Sequence, residues 1–148
     1  MGYCDRFKTL GSITLNNNTA TCSKFPNYLF YNDGSIFNIR RQKFLKKSLT
    51  QNKYEFVFLC NEGEQYHFYV HRLIYLLFVD DIPGGYEIEH LDHKRNNNKI
   101  DNLTCITIAE NRKTRRKNNN EYKEFDKKHN DKYKKYYHDY HINKKIGA

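Results

Sequence analysis

The order of structural signals over residues 86–116 constrains the fold of this 148-residue chain more than any other feature of its sequence. Tyr86–His90 and Leu103–Thr107 are short runs of strand-forming residues, and a polar segment separates them. Thr107 is a suitable helix N-cap, and Glu110 three residues later completes a capping box. The sequence therefore predicts a strand, a loop, a second strand and a helix, which together make one ββα unit.

A region rich in short strands is predicted upstream of this unit. Asn32-Asp33-Gly34 lies between Tyr28–Tyr31 and Ser35–Ile39. An Asp-Gly pair between strand formers is a strong hairpin signal, because both residues tolerate positive φ. Tyr54–Cys60 and Gln65–Val70 are further predicted strands, joined by a turn-like segment that contains glycine.

A buried helix is predicted between the two regions. His71–Phe78 is too apolar and too long for another edge strand. At helical spacing it places four side chains on one buried face: Leu73, Ile74, Leu77 and Phe78. The segment Asp80–Gly85, with its Pro-Gly-Gly run, ends it. The prediction is an α+β chain with an irregular segment over residues 1–26, a domain over residues 27–117 and a basic helical extension over residues 118–148.

Positive charge is concentrated in the last quarter of the chain. The net charge is +9, and residues 112–148 hold thirteen Lys or Arg against five Asp or Glu. A basic extension on a near-neutral domain favours a polyanionic partner, because neutralisation of phosphates releases counterions. A solvated, solubilising tail is an equally simple alternative.

The extension also carries a stripe of aromatic residues. From Tyr122 to Tyr140, aromatic side chains recur at three- and four-residue steps, as on one face of a helix. Packing of this face on the domain or on a partner chain is the favoured interpretation. Contact with nucleic acid, together with the intervening lysines, is the other.

The composition argues against several other classes of protein. No apolar run approaches the ~20 residues that span a bilayer, and the N-terminus lacks the apolar core of a signal peptide. Four cysteines form no CxxC pair, so isolated thiols in a reducing compartment are favoured over a zinc site: Cys4, Cys22, Cys60 and Cys105. We therefore expect an intracellular protein that is not secreted and has no membrane partner.

The pair Glu89-His90 ends the first strand of the predicted ββα unit. A carboxylate beside an imidazole, next to a polar loop, offers a metal ligand and a proton acceptor together. Neighbouring residues of a strand point to opposite faces, however. On this spacing alone, a surface pair without a role is an equal alternative.

A wider pattern of residues resembles the HNH endonucleases, and among them the phage- and intron-borne homing type. The matching elements occur in order: Val70-His71-Arg72-Leu73, Glu89-His90-x-Asp92, Asn97-Asn98, Asn102-Leu103, Thr107 and Glu110-Asn111. The resemblance covers residues 27–112. It implies a ββα-metal fold that binds one divalent cation, Mg²⁺ or Mn²⁺, and acts on DNA.

The resemblance also implies roles for individual residues. His90 would be the general base that activates water, and Asn102 would brace the loop through its backbone. Glu89 and Asn111 would be the protein ligands of the cation. The family usually has Asp or Asn at the position of Glu89, whose extra methylene displaces the carboxylate by about 1.5 Å. His93 stands where the family often has Gly, and is either a spare ligand or an exposed side chain.

Further expectations concern the substrate. A single site of this kind cuts one strand per engagement, so a monomer, the slightly favoured state, would nick DNA. A basic set is predicted to contact DNA phosphates: Arg72, Arg112, Lys113, Arg115, Arg116 and Lys117. The enzyme would work in a bacterial host, a virus-infected cell or a nucleus.

Two alternatives to an active endonuclease remain open. One is a DNA-binding protein that keeps the HNH scaffold but cleaves weakly because of Glu89. The other is a structural or partner-binding protein that assembles through the Tyr-rich helix.

Overall fold

The structure is a computed structural model that describes residues 3–116, the last two by their backbone alone. Lys117 and the extension over residues 118–148, with its predicted aromatic helix, lie outside the described residues. The described part is a mixed α and β fold of short strands and few helices, which agrees with the predicted α+β class. No helix in it is long and apolar enough to cross a membrane.

The N-terminal segment, predicted to be irregular, is folded. It forms helix α1 (Arg6–Leu10) and an antiparallel hairpin of β1 (Ile13–Asn16) and β2 (Thr19–Cys22). The prediction was wrong because the Asn-rich stretch between the strands is a tight turn, with Asn17 at φ 45°. Asn adopts this left-handed conformation more readily than most residues, so it closes a hairpin here.

The hairpin predicted around the Asp-Gly pair is confirmed. β3 (Tyr28–Tyr31) and β4 (Ile36–Asn38) pair antiparallel. Gly34 in the turn has φ 94°, a conformation that favours glycine. With β5 (Lys43–Phe44) these strands extend the N-terminal hairpin into a five-stranded sheet of order β1-β2-β3-β4-β5.

A second antiparallel sheet leads directly into the central helix. It contains β6 (Ser48–Leu49), β7 (Glu55–Asn61) and β8 (Glu64–Tyr69), and the last two confirm the predicted strands with a shift of one residue. α2 (Val70–Phe78) follows without a loop. Of its four predicted core side chains, Leu73, Ile74 and Leu77 are fully buried. The fourth, Phe78, is half-buried.

The predicted ββα unit is confirmed. β9 (Tyr86–His90) pairs antiparallel with β10 (Leu103–Thr107), and a 3-10 turn (Ile100–Asn102) ends the loop between them. α3 (Ile108–Arg116) follows at once.

Two helices pack on the β9–β10 ribbon. α3 begins at the predicted capping box, in which Glu110 N donates to Thr107 Oγ1 over 3.1 Å and Thr107 N donates to Glu110 Oε2 over 3.2 Å. α2 contacts the ribbon and strands of both sheets, so it lies at the centre of the core. Neighbouring residues of β10, Thr104 and Cys105, are therefore both buried although they point in opposite directions.

Arg6 ties the N-terminal segment to the end of α2. Its Nε donates to the carbonyl of Leu76 over 2.5 Å and its Nη2 donates to that of Leu77 over 3.1 Å. Its backbone N–H donates to Asp81, which also accepts from the Tyr3 hydroxyl over 2.6 Å. The guanidinium thus supplies donors to carbonyls that have no partner within the helix.

Replacing Arg6 with Met should destabilise the protein. The variant keeps an apolar stem but leaves two partly buried helix carbonyls without a donor, which costs about 1–3 kcal/mol. Urea denaturation measures the free energy of unfolding. Lys8→Met removes the same charge from an exposed position of α1 and is the matched control. Equal stabilities of the two variants would contradict the anchoring role of Arg6.

Candidate active site

The ββα unit brings three of the predicted site residues to one cavity. Glu89 and His90 end β9, and Asn111 lies on α3 one turn after its N-cap. The cavity has a volume of about 70 Å³. Its lining consists of these three residues with four others: Tyr54, His93, Arg95 and Thr114. Asn102, the fourth predicted catalytic residue, lies in the loop behind it.

Asn111 presents an unpaired oxygen inside the fold. Its side chain is 1% exposed, and its Nδ2 donates to Glu87 Oε1 on β9, which sets the orientation of the amide. Its Oδ1 is buried and has no hydrogen-bond partner among the described residues. Since an unpaired buried acceptor costs about 1–3 kcal/mol, this oxygen is suited to coordinate a cation.

Two carboxylates project from the same face of β9, because Glu87 and Glu89 are two residues apart in a strand. Glu89 lines the cavity, whereas Glu87 holds the amide of Asn111. Carboxylate and amide oxygens are ligands that hard divalent cations prefer, so these residues fit such an ion. Over residues 3–116, no three His, Cys, Asp or Glu side chains form a metal-binding cluster. An ion held here would depend on Glu89, on the Asn111 oxygen and on oxygens of a substrate or water.

His90 is buried among aromatic and imidazole rings. Its side chain is 2% exposed, and its ring centre lies 5.1 Å from that of His71 and 6.2 Å from that of Tyr54. Burial lowers the pKa of His90, although a hydrogen bond with Asn98 and the charge of Glu89 raise it in part. At neutral pH the imidazole is therefore neutral and able to accept a proton.

Sequence reasoning missed the partners of this imidazole. His90 Nε2 lies 2.8 Å from Asn98 Oδ1, and Asn98 Nδ2 donates to Glu55 Oε2 over 2.8 Å. Lys47 Nζ donates to the same carboxylate oxygen over 3.2 Å. Asn98 belongs to the Asn-rich part of the loop, which marks a turn but no partner. Glu55 and Lys47 are more than thirty residues from His90, and no local pattern signals them.

Asn102 bonds to the loop from its far end. Its Oδ1 accepts from the Asp92 backbone N–H over 3.0 Å, and its Nδ2 donates to the Asn97 carbonyl and to Asp92 Oδ1. Burial raises the pKa of Asp92, but hydrogen bonds from Asn97, Lys94 and Asn102 outweigh it and hold this pKa below its usual value. The loop after His90 is thus closed on itself by side-chain to backbone bonds.

His93 is an exposed residue with φ 60°. The left-handed conformation explains why glycine would suit this position. Its Nδ1 lies 3.6 Å from Glu89 Oε1, so a protonated imidazole would compete with a cation for that carboxylate.

Only some of the residues predicted to contact DNA have exposed side chains. Arg112 and Lys113 are exposed on α3, whereas Arg72 is half-buried on α2. Arg115 and Arg116 belong to α3, but their side chains are not described.

A basic groove that sequence reasoning missed adjoins the cavity through His93 and Arg95. It has a volume of about 480 Å³, and four cations line it: Lys47, Lys53, Lys94 and Arg95. Arg95 is fixed there, because its Nη1 donates to the Asn52 carbonyl over 2.7 Å and its guanidinium stacks 4.7 Å from the Tyr54 ring centre. The groove combines residues from the β6–β7 turn and the ribbon loop.

Part of the chain is similar to the HNH endonucleases. Residues 68–113 match the family model described as HNH endonuclease. The chain is 31% identical over 86 residues to the uncharacterized HNH endonuclease L245 of Acanthamoeba polyphaga mimivirus, covering 57% of this chain and 26% of that protein. It is 30% identical over 80 residues to the DNA endonuclease I-HmuI of Bacillus phage SP01, covering 54% of this chain and 46% of that protein. The predicted resemblance to HNH endonucleases is confirmed.

A solved structure supports the same relationship. The fold is similar to the HNH homing endonuclease I-HmuI, in a structure described as DNA binding and cleavage by that enzyme. The TM-score is 0.58 at 26% identity, over 71% of this chain and 63% of that one. The chain spans about a quarter to a half of the length of the curated relatives named here.

Replacing Asn102 with Ala should destabilise the loop that follows His90. The variant leaves the Asp92 N–H and the Asn97 carbonyl without their partner, at a cost of about 1–3 kcal/mol. Thermal unfolding measures the loss. Asn96→Ala, an exposed change of the same type in the same loop, should melt close to the wild type. A melting temperature for Asn102→Ala equal to that of Asn96→Ala would refute the bracing role.

Proposed function

We propose that this chain is a metal-dependent DNA endonuclease that hydrolyses phosphodiester bonds and nicks one strand per active site. The observation that supports this most is the convergence of His90, Glu89 and the unpaired oxygen of Asn111 on one cavity of an HNH-type ββα unit. Its relatives are named as DNA and homing endonucleases, which supports the same activity. The substrate class is inferred from these names and from the cations around the cavity.

Glu89 and Asn111 would hold one divalent cation, Mg²⁺ or Mn²⁺. Such ions are commonly bound by one or two protein oxygens plus substrate phosphates, so two protein ligands suffice. Glu87 would act through Asn111, since its carboxylate accepts the Nδ2 hydrogen and leaves Oδ1 for the ion. When bound, the cation supplies charge stabilisation at the phosphate and at the departing 3′ oxygen.

His90 would accept a proton from the attacking water. Its burial keeps the imidazole neutral at neutral pH, and its place beside Glu89 puts it next to the cation ligands. Asn102 would keep the following loop in place through its backbone bonds. No other proton acceptor is required for the first step of hydrolysis.

The exposed cations would bind the DNA backbone. Arg112 and Lys113 lie on the helix that carries Asn111, and the basic groove approaches from the other side. Contacts of this kind give affinity and position more than sequence choice. The contributions of Arg72, Arg115, Arg116 and Lys117 are part of the same proposal.

His90→Ala should lower cleavage by roughly 10²–10⁴-fold, because the general base is removed. The assay is conversion of supercoiled plasmid to the open-circular form with Mg²⁺ or Mn²⁺. Binding of DNA by the variant should match that of the wild type, which controls for folding. Full activity of the variant at pH 7 to 8 would exclude His90 as the base.

Asn111→Ala should raise the concentration of Mg²⁺ needed for cleavage, or abolish cleavage, because one of two protein ligands is lost. Glu89→Asp, which restores the residue type usual in the family, should keep or increase activity. Calorimetric titration with Mn²⁺ provides a readout that does not depend on activity. Unchanged Mn²⁺ affinity in Glu89→Ala would show that this carboxylate does not bind the ion.

A second candidate is a DNA-binding protein that cleaves weakly. The proximity of Glu89 and His93 favours it, since a protonated imidazole 3.6 Å away would compete with a cation for the carboxylate. Plasmid binding without an open-circular product, with either cation, would support this candidate over the endonuclease.

A further inference from the structure

We infer that Asn98, Glu55 and Lys47 are positioning residues that fix the proton of neutral His90 on Nε2 and leave Nδ1 as its basic nitrogen. This inference deepens the proposed function and rests on it for the role of His90, but the tautomer itself can be measured without cleavage.

The chain of bonds has a direction that begins at Lys47. Its ammonium only donates, and it lies 3.2 Å from Glu55 Oε2. The same oxygen accepts from Asn98 Nδ2 over 2.8 Å. A carboxylate oxygen that accepts from an ammonium and an amide has no proton to give. The amide of Asn98 is thereby forced to turn its NH₂ group towards Glu55.

The direction is passed on to the imidazole. With Nδ2 facing Glu55, Asn98 presents Oδ1 to His90 Nε2 at 2.8 Å. An amide oxygen only accepts, so Nε2 must carry the hydrogen, and Nδ1 of the neutral ring keeps its lone pair. His90 and Asn98 are each 2% exposed, so their hydrogen bond is shielded from bulk water.

The fold holds Asn98 in place from the side of the first sheet. A Cβ built on Gly34 would lie 3.0 Å from Asn98 Cβ and 3.3 Å from its carbonyl oxygen. Ile100, two residues further, donates its N–H to the Asn32 carbonyl over 2.8 Å. The β3–β4 turn therefore packs against the backbone of Asn98 and limits its movement.

Glu55 and Lys47, the two charged residues of this series of hydrogen bonds, lie outside the segment that matches the family model. Glu55 begins β7 and Lys47 precedes β6, whereas the family model matches residues 68–113. The second sheet, and not the ββα unit, thus supplies the charges that orient the base. Residues that orient a functional imidazole through its other nitrogen are known to affect activity strongly.

Glu55→Met is the discriminating variant, because it keeps a side chain of similar length that can neither donate nor accept such a hydrogen bond. Gln at this position would not discriminate, since one amide oxygen could still accept from both Lys47 and Asn98, as Glu55 Oε2 does. In Glu55→Met the Asn98 amide loses the acceptor that sets its orientation, so both amide orientations and both His90 tautomers become populated. A role limited to packing would leave the tautomer unchanged.

The experiment uses long-range ¹H–¹⁵N NMR of the imidazole rings in the metal-free full chain. The His90 signals are assigned by their loss in His90→Ala. We expect Nε2–H in the wild type, and a mixture of the two tautomers in Glu55→Met. Glu62→Met makes the same change at an exposed position of the β7–β8 turn and should leave the spectrum of His90 as in the wild type.

Cleavage provides the second readout. In folded Glu55→Met we expect kcat to fall roughly 10- to 100-fold, whereas Glu62→Met should keep the wild-type kcat. If Glu55→Met does not fold, Asn98→Ala takes its place and should also give a mixture of the two tautomers. An Nδ1–H ring in the wild type, or an unchanged Nε2–H ring in the folded variant, would overturn the inference. A protein that shows the predicted tautomers but never cleaves DNA would instead refute the proposed function.

Discussion

The pairing of β9 with β10 is the constraint on which the candidate site depends. Five residues pair in register, with His90 opposite Leu103 and Tyr86 opposite Thr107. The register sets how far α3 starts from the end of β9, because the capping residue of the helix is the last residue of β10. One turn later the chain returns Asn111 to the level of Glu87, across the ribbon. A shift of one residue in this register would move every one of these side chains to the opposite face.

The burial of two neighbouring imidazoles, His71 and His90, determines the charge next to the cavity, because burial lowers the pKa of both. Burial, together with the neighbouring His90 and Arg72, lowers the pKa of His71 to about 3. His71 therefore adds no positive charge beside the cavity at any pH at which the protein would work. Tyr54 stacks on His71 with ring centres 5.2 Å apart and also carries the guanidinium of Arg95 on its ring. The aromatic cluster thus separates a neutral interior from a charged rim.

Local signals in the sequence were sufficient to predict the ββα unit, whereas the three residues that meet in the cavity were predicted from the resemblance to the HNH endonucleases. A capping box, an Asp-Gly turn and alternating strand residues act over a few positions, so they can be read without the fold. The Asn-rich turn after β1 was missed because the same residues also suit loops. Glu87 could have been found from its i, i+2 relation to Glu89. For Asn98, the Asn-rich sequence around it indicated a turn, but nothing in the sequence indicated its hydrogen-bond partners.

The contact of Glu55 with Asn98 could not be predicted, because it joins positions 43 residues apart and depends on how two sheets pack. Because of this packing, the motif cannot be moved to another protein without losing contacts that orient His90. A fragment trimmed to residues 68–113 would retain His90 and the proposed cation ligands but lose Glu55 and the Gly34 turn that contacts the loop. Grafting the motif onto another scaffold would therefore require the host to supply an acceptor at that point. The structural unit that orients this imidazole is therefore larger than the segment that matches the family model.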